Sequence, residues 1–151
     1  KALEILSGLP TKDQDFFATV KADLKGGEKK VPVSDEDRST LAFYLRVSGP
    51  EGAKMLEEFY KDPEEEKNKH IYLAALVQMG ADAEAQFPVL VEALDSAPPE
   101  IKWQVLTEIG MKGLRGRAAL PAVKAMKKMQ GPAWETLTQK VIKQISIELQ
   151  E

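Results

Sequence analysis

Six cationic side chains and no acidic one lie between residues 109 and 134: Lys112, Arg115, Arg117, Lys124, Lys127 and Lys128. A run of this kind can hold the carboxylates of a protein partner or the phosphates of a nucleic acid. At about 100° per residue along an α-helix, Arg117, Lys124 and Lys128 fall on one line, with Lys127 beside them. Leu120, Val123, Met126 and the alanines occupy the remainder of that helix. A solvated outer face could carry the same cations, although such faces ordinarily mix in Asp or Glu at i±4. The chain as a whole is acidic, at net −3, which argues against an extended nucleic-acid surface.

Other chemistry is sparse. His70 is the one histidine and there is no cysteine, so neither a histidine or thiolate metal cluster nor a Ser–His pair can be assembled. His70 is expected near a helix start, partly exposed. Carboxylates are abundant, but Glu64-Glu65-Glu66 is most simply a helix N-terminus favoured by the helix dipole. The glycines of Gly110-Met-Lys-Gly-Leu-Arg-Gly lack the Lys-Ser/Thr ending of a phosphate loop and any preceding strand. No catalytic residue, metal, cofactor or small-molecule ligand is therefore expected. Trp103 and Trp134 share faces with Leu106 and Leu137, which places both in the core.

The elements that must position these residues are helices. Ser34-x-x-Asp37 opens one, followed by Leu41, Tyr44 and Leu45 on a single face and Gly49-Pro50 at its end. A shorter helix carries Met55, Leu56, Phe59 and Tyr60. Asp62-Pro63-Glu64-Glu65 reads as a strong start for a helix reaching Met79. Further helices are expected over 83–95, Pro99–Ile109, Arg117–Met129 and from Gly131-Pro132 through Leu149. Upstream, Thr11-x-x-Gln14 starts a helix with Phe16, Phe17, Val20 and Leu24 inward, and Gly26-Gly27 end it. Residues 26–34 form an irregular linker. Leu3, Ile5 and Leu6 belong to the end of an earlier helix at an unfinished edge. With no alternating strand pattern, the expectation is an all-α chain of about nine helices.

One phrase appears twice. HIYLAALVQMG…FPVLVEAL covers residues 70 to 94 and KWQVLTEIG…LPAVKAM covers 102 to 126. Gly80 matches Gly110 at a spacing of 30, and Phe87-Pro88 matches Leu120-Pro121 at 33, which puts three extra residues in the second turn. Two helices in a unit of about 30 to 40 residues indicate an α-solenoid. These phrases resemble HEAT repeats, above all the short type of phycobilisome-lyase-like and other bacterial repeat proteins. The resemblance is best over 69–129, weaker over 38–60, and only an echo at Ser7-Gly8-Leu9-Pro10. It implies a single domain over residues 1–151 of about four antiparallel HEAT-like pairs, wound into a superhelix. It also implies a non-catalytic protein-binding scaffold whose second helices line the concave side. An accessory subunit of an enzyme and a nucleic-acid-binding HEAT-like protein are the alternatives. Val89 lies off the Phe87/Leu90/Val91/Leu94 face, which calls for a mildly apolar binding groove or a neighbouring element beside it.

Length and charge fit that picture. At 151 residues the chain suits one domain with a real core, and no apolar run reaches the roughly 18 residues that would span a bilayer. The first residue is Lys1, so a fragment or a processed form is expected and the compartment stays open. Residues 51–100 carry 12 acidic and 4 basic side chains, whereas residues 101–151 carry 4 acidic and 9 basic. A rod-like fold would keep those two blocks apart and be electrically polar along its length.

Overall fold

The computed structural model describes Ala22 and residues 34–126 and 131–146. These hold seven α-helices and no strand: α1 (Asp35–Arg46), α2 (Gly49–Lys61), α3 (Lys69–Val77), α4 (Phe87–Ser96), α5 (Pro99–Met111), α6 (Leu120–Ala125) and α7 (Pro132–Ser146). Short 3-10 segments occupy Pro63–Glu65, Gly80–Gln86 and Gly113–Ala119. The two helices expected before residue 26, the capping box at Thr11 and the edge at Leu3, Ile5 and Leu6 lie outside the described residues. So do the linker before Ser34, Lys127, Lys128 and Leu149.

The chain divides into two compact units, residues 1–82 and 83–151. In the first, α1 begins as its sequence dictates. The Asp37 amide donates to Ser34 Oγ at 3.1 Å and the Ser34 amide reaches back to the Asp37 carboxylate, a reciprocal capping box that satisfies two otherwise free donors. Helices α1, α2 and α3 pack on one another. They bury Leu41 and Leu45, Leu56 and Phe59, and Tyr72 and Leu73 in turn. The Phe59 and Tyr72 rings meet at 5.3 Å between centroids.

The helix expected from Asp62 to Met79 is split. Asp62 does cap, accepting from the Glu64 amide at 3.0 Å, but what it starts is the 3-10 turn Pro63–Glu65, and α3 begins only at Lys69. The break follows from Glu65, whose carboxylate is turned into the unit and held there by Arg38 and Tyr72. A continuous helix through this point would have to place that side chain elsewhere.

In the second unit α5 contacts α4 and α7, and α6 contacts α4 and α7. Trp103 meets Trp134 near the N-terminal ends of α5 and α7, with centroids 5.1 Å apart. Near their other ends, a Cβ on Gly110 would stand 2.5 Å from Gln144 Oε1 and 3.2 Å from Val141 Cγ2. The two helices therefore run in the same direction. That close approach also corrects the expected helix end at Gly110. The glycine is buried within α5, and the helix continues to Met111.

The left-handed residue that turns the chain is Gly113 (φ 54°), the counterpart of Gly80 (φ 58°), a conformation that costs glycine little. Measured between these two, the repeat is 33 residues, the same as from Phe87 to Leu120, and the two 3-10 turns are of equal length at 7 residues. At that uniform spacing the second turn holds no extra residues, because Gly80 corresponds to Gly113 and not to Gly110. Burial repeats at the same interval: Leu73 with Leu106, Leu76 with Ile109, and Leu90 with Val123 are all essentially inaccessible. Leu120 departs from expectation. It sits at the start of α6 and is only half-buried; among the described residues, the helix expected from Arg117 is the end of the 3-10 turn followed by six helical residues.

Candidate functional site

Among the described residues the cations of the basic segment are placed differently from one another. Lys112 turns inward, with 6% of its side chain exposed, and its Nζ lies 2.6 Å from Glu84 Oε2 and 3.9 Å from Glu108 Oε1. The same ammonium stands 5.4 Å from the Phe87 ring centroid, close enough for a cation–π attraction. Its expected place in a partner surface is thus corrected: the charge is spent tying the 3-10 turn Gly80–Gln86 to the end of α5. Glu84 responds. The hydrogen bond and charge of Lys112, with a smaller contribution from Arg115, hold its carboxyl below its ordinary value.

Arg115 and Arg117 lie on the 3-10 turn and Lys124 on α6. Arg117 and Lys124 therefore do not share the single continuous helix expected to carry them. All three are exposed, and none takes part in an ion pair among the described residues. Val89 is 2% exposed and part of the core face of α4. It offers nothing to a partner, and of its two readings the neighbouring element is the one found.

Both tryptophans were expected inside. Trp103 is 38% exposed and Trp134 half-buried, stacked edge to face at 81°. Two further apolar residues stand out that periodicity missed: Met111 at 75% and Leu114 at 55% exposure. Met111 was overlooked because Gly110 looked like the end of the helix. Trp103, Thr107 and Met111 are all exposed at i, i+4 and i+8 of α5, so they form a ridge on that helix, and exposed Leu114, Arg115 and Arg117 follow it in the chain.

A buried polar cluster also escaped the sequence. Arg38 Nε donates to Glu65 Oε2 at 2.8 Å, Arg38 Nη2 to Glu65 Oε1 at 3.3 Å, and the Tyr72 hydroxyl to Glu65 Oε2 at 2.7 Å. Glu65, read as a solvated helix start, is 7% exposed and Tyr72 is fully covered. Burial, then the bond to Glu65, pushes the Tyr72 hydroxyl well above its ordinary value, and the bond to Glu65 likewise raises Arg38. Nothing local signals the cluster, since Arg38 and Glu65 are 27 residues apart.

His70 is half-buried near the start of α3, and its Nδ1 is buried without a hydrogen-bond partner. Burial lowers its pKa and the Lys69 charge adds to that, with Glu66 opposing. A titration of the single imidazole by NMR should therefore give a midpoint below 6.5. By linkage, a folded pKa below the unfolded one gives stability that is present above pH 6.5 and lost as the pH falls through the folded value. A midpoint at or above the unfolded value would contradict this burial.

Among the described residues no group of three or more His, Asp or Glu side chains is placed to hold a metal ion. No helix among them is long and apolar enough to cross a membrane. What the second unit exposes is apolar side chains, Trp103, Met111 and Leu114, and the cations Arg115, Arg117 and Lys124. Comparisons with protein-family models, curated proteins and solved structures gave no match.

Proposed function

We propose that this protein is a non-catalytic interaction module built of HEAT-like helical pairs, and that it holds a protein partner through an acidic patch on that partner. The observation that carries the reading is the exposure of Arg115, Arg117 and Lys124 with no ion pair among the described residues. Exposed cations outside any ion pair can meet the carboxylates of an acidic partner at little desolvation cost at the rim of a contact. The HEAT-like reading is supported by the 33-residue recurrence of the left-handed glycine, the 3-10 turn and the buried positions. In such an array the second helices, α4 and α6 here, line the concave side of a superhelix, and Lys124 belongs to one of them.

The test is capture of partners from the native source by the parent protein and by the variant Arg115→Glu, Arg117→Glu, Lys124→Glu. Helical content should be unchanged, since exposed substitutions alter stability by about 0.5 kcal/mol each. Partner affinity should fall at least about 10-fold, since three exposed pairs at roughly 0.5–1 kcal/mol each exceed the 1.4 kcal/mol of a tenfold change. Binding by the parent should weaken as salt is raised. Undiminished capture by the folded variant at low salt would remove the basis for the proposal.

A further inference from the structure

We infer that the ridge Trp103–Thr107–Met111 on α5, continued by Leu114 and closed by Arg115 and Arg117, docks one acidic amphipathic helix. This rests on the proposed function and names the kind of partner segment its surface takes. Three observations converge within one compact unit.

The first is composition. Trp, Met and Arg are the residues that dominate protein contacts, whereas Lys, Glu and Asp dominate ordinary surface. Here Trp103, Met111 and Leu114 are 38%, 75% and 55% exposed, although the other face of α5 is closed, with Val105, Leu106 and Ile109 all inaccessible. The exposure is therefore not a sign of a loosely packed helix. The second is spacing. Trp103, Thr107 and Met111 form an i, i+4, i+8 row about 12 Å long at 1.5 Å per residue, the kind of ridge that fits the groove between rows of a second helix. Trp103 is backed on one side by Trp134 at 5.1 Å, which limits the rotamers it must give up on binding.

The third is charge. At the Met111 end the cluster Lys112, Glu84 and Glu108 is mutually paired, while Arg115 and Arg117 are exposed and unpaired among the described residues. At the other end Glu100 is exposed one turn before Trp103, and the Lys102 ammonium is bonded to the Asp95 carbonyl at 3.2 Å. The ridge is thus apolar along its length and positive only where it meets the 3-10 turn. A helix with an apolar stripe and carboxylates at the end nearest Arg115 matches it in both respects. A nucleic acid would leave Trp103, Met111 and Leu114 facing a charged backbone, and the cation that α5 itself carries, Lys102, is bonded to the Asp95 carbonyl.

The probe is a fluorescein-labelled synthetic helix of about 18 residues, free of Trp, with Leu along one face, Glu on the polar face of one end and Ala or Gln on the rest of it, which avoids like-charge repulsion along the helix. The comparators are the same peptide with Leu positions scrambled, a version with Lys for Glu, and a single-stranded oligonucleotide. Saturable binding of the Leu/Glu helix is expected by anisotropy, weakened at least about tenfold by scrambling or by Lys, a difference of 1.4 kcal/mol. The variants M111S and L114S should each weaken binding several-fold, and Arg115→Ala with Arg117→Ala should both weaken it and flatten its salt dependence. Trp103 emission should shift to the blue on binding, and W103F should abolish the shift, which places the helix on the ridge even if another variant proves unstable. No saturable binding, binding indifferent to the Leu positions, an unshifted Trp103, or tighter binding of the oligonucleotide each overturns the inference. If a native partner is still captured through Arg115, Arg117 and Lys124 while the Leu/Glu helix fails to bind, this inference falls and the proposed function stands.

Discussion

Replacing Glu65 with alanine is expected to destabilise the first unit by about 3–5 kcal/mol, the range for breaking a buried ion pair by removing one partner. The carboxylate accepts from Arg38 at 2.8 and 3.3 Å and from the buried Tyr72 hydroxyl at 2.7 Å. Its removal leaves a guanidinium with 14% of its side chain exposed and a covered hydroxyl, each short of its acceptor. The covered hydroxyl cannot reach water without moving α1 away from α3, and the guanidinium, with Asp35 3.6 Å from Nη1, is only partly solvated, so most of the desolvation cost is not recovered. Glu65→Gln should lose less, since the amide oxygen still accepts from Tyr72. Urea titration followed by circular dichroism would measure both. A loss under about 1 kcal/mol for the alanine variant would mean that the cluster is solvated and contributes as an exposed pair does. Tyr72 adds a pH dependence of definite sign. Its folded pKa is raised above the ordinary 10.0, so its contribution is present below that pH and is lost as the pH climbs beyond it.

Gly52→Ala is expected to be destabilising where propensity alone says the reverse. In an exposed helix interior, alanine is better than glycine by about 1 kcal/mol. In α2, however, a Cβ at position 52 would be driven into the carbonyl oxygen of Leu45 in α1, with the carbonyl carbon at 2.8 Å and Ser48 Cβ at 3.1 Å. Backbone cannot rotate out of the way as a side chain can, so α1 and α2 must separate over Leu45 and Leu56, both inaccessible. The overpacking cost belongs at or above the upper end of about 1–3 kcal/mol, which exceeds the propensity gain. Differential scanning calorimetry of the variant should show a lowered Tm. An unchanged or raised Tm would show that the two helices do not cross as closely as Gly52 permits.

These two effects mark how far the sequence could be read. Nothing about Gly52 or Glu65 is local. The glycine looks like a weak point in a helix until Leu45 is seen above it, and Glu65 looks like one of three carboxylates at a helix start until Arg38 arrives from 27 residues away. The same holds for Lys112, which by sequence is one cation in a run of six and by structure is a buried clamp on Glu84, 28 residues distant. Periodicity assigned Trp103 to the core because it shares a face with Leu106. The packed face of α5 is narrower than that, and Gly110, buried against Val141 and Gln144, sets its edge.

What the sequence by itself determined is the all-α character of the described residues, the approximate place of each helix among them, the capping box at Ser34 and most of the buried apolar positions. Those features depend on interactions within a turn or two of chain: capping side chains, proline at a first helical position, and apolar residues at spacings of three and four. Tertiary structure alone decided the length of each helix, the three 3-10 segments, the true repeat of 33 residues and the fate of every charged side chain discussed here. Helix lengths shifted because an end is placed by what packs on it, as α7 packs on Gly110, more than by the nearest glycine. Charges were unreadable because a cation is free or paired according to which carboxylate the fold brings within about 4 Å, and one-dimensional spacing carries no record of that distance.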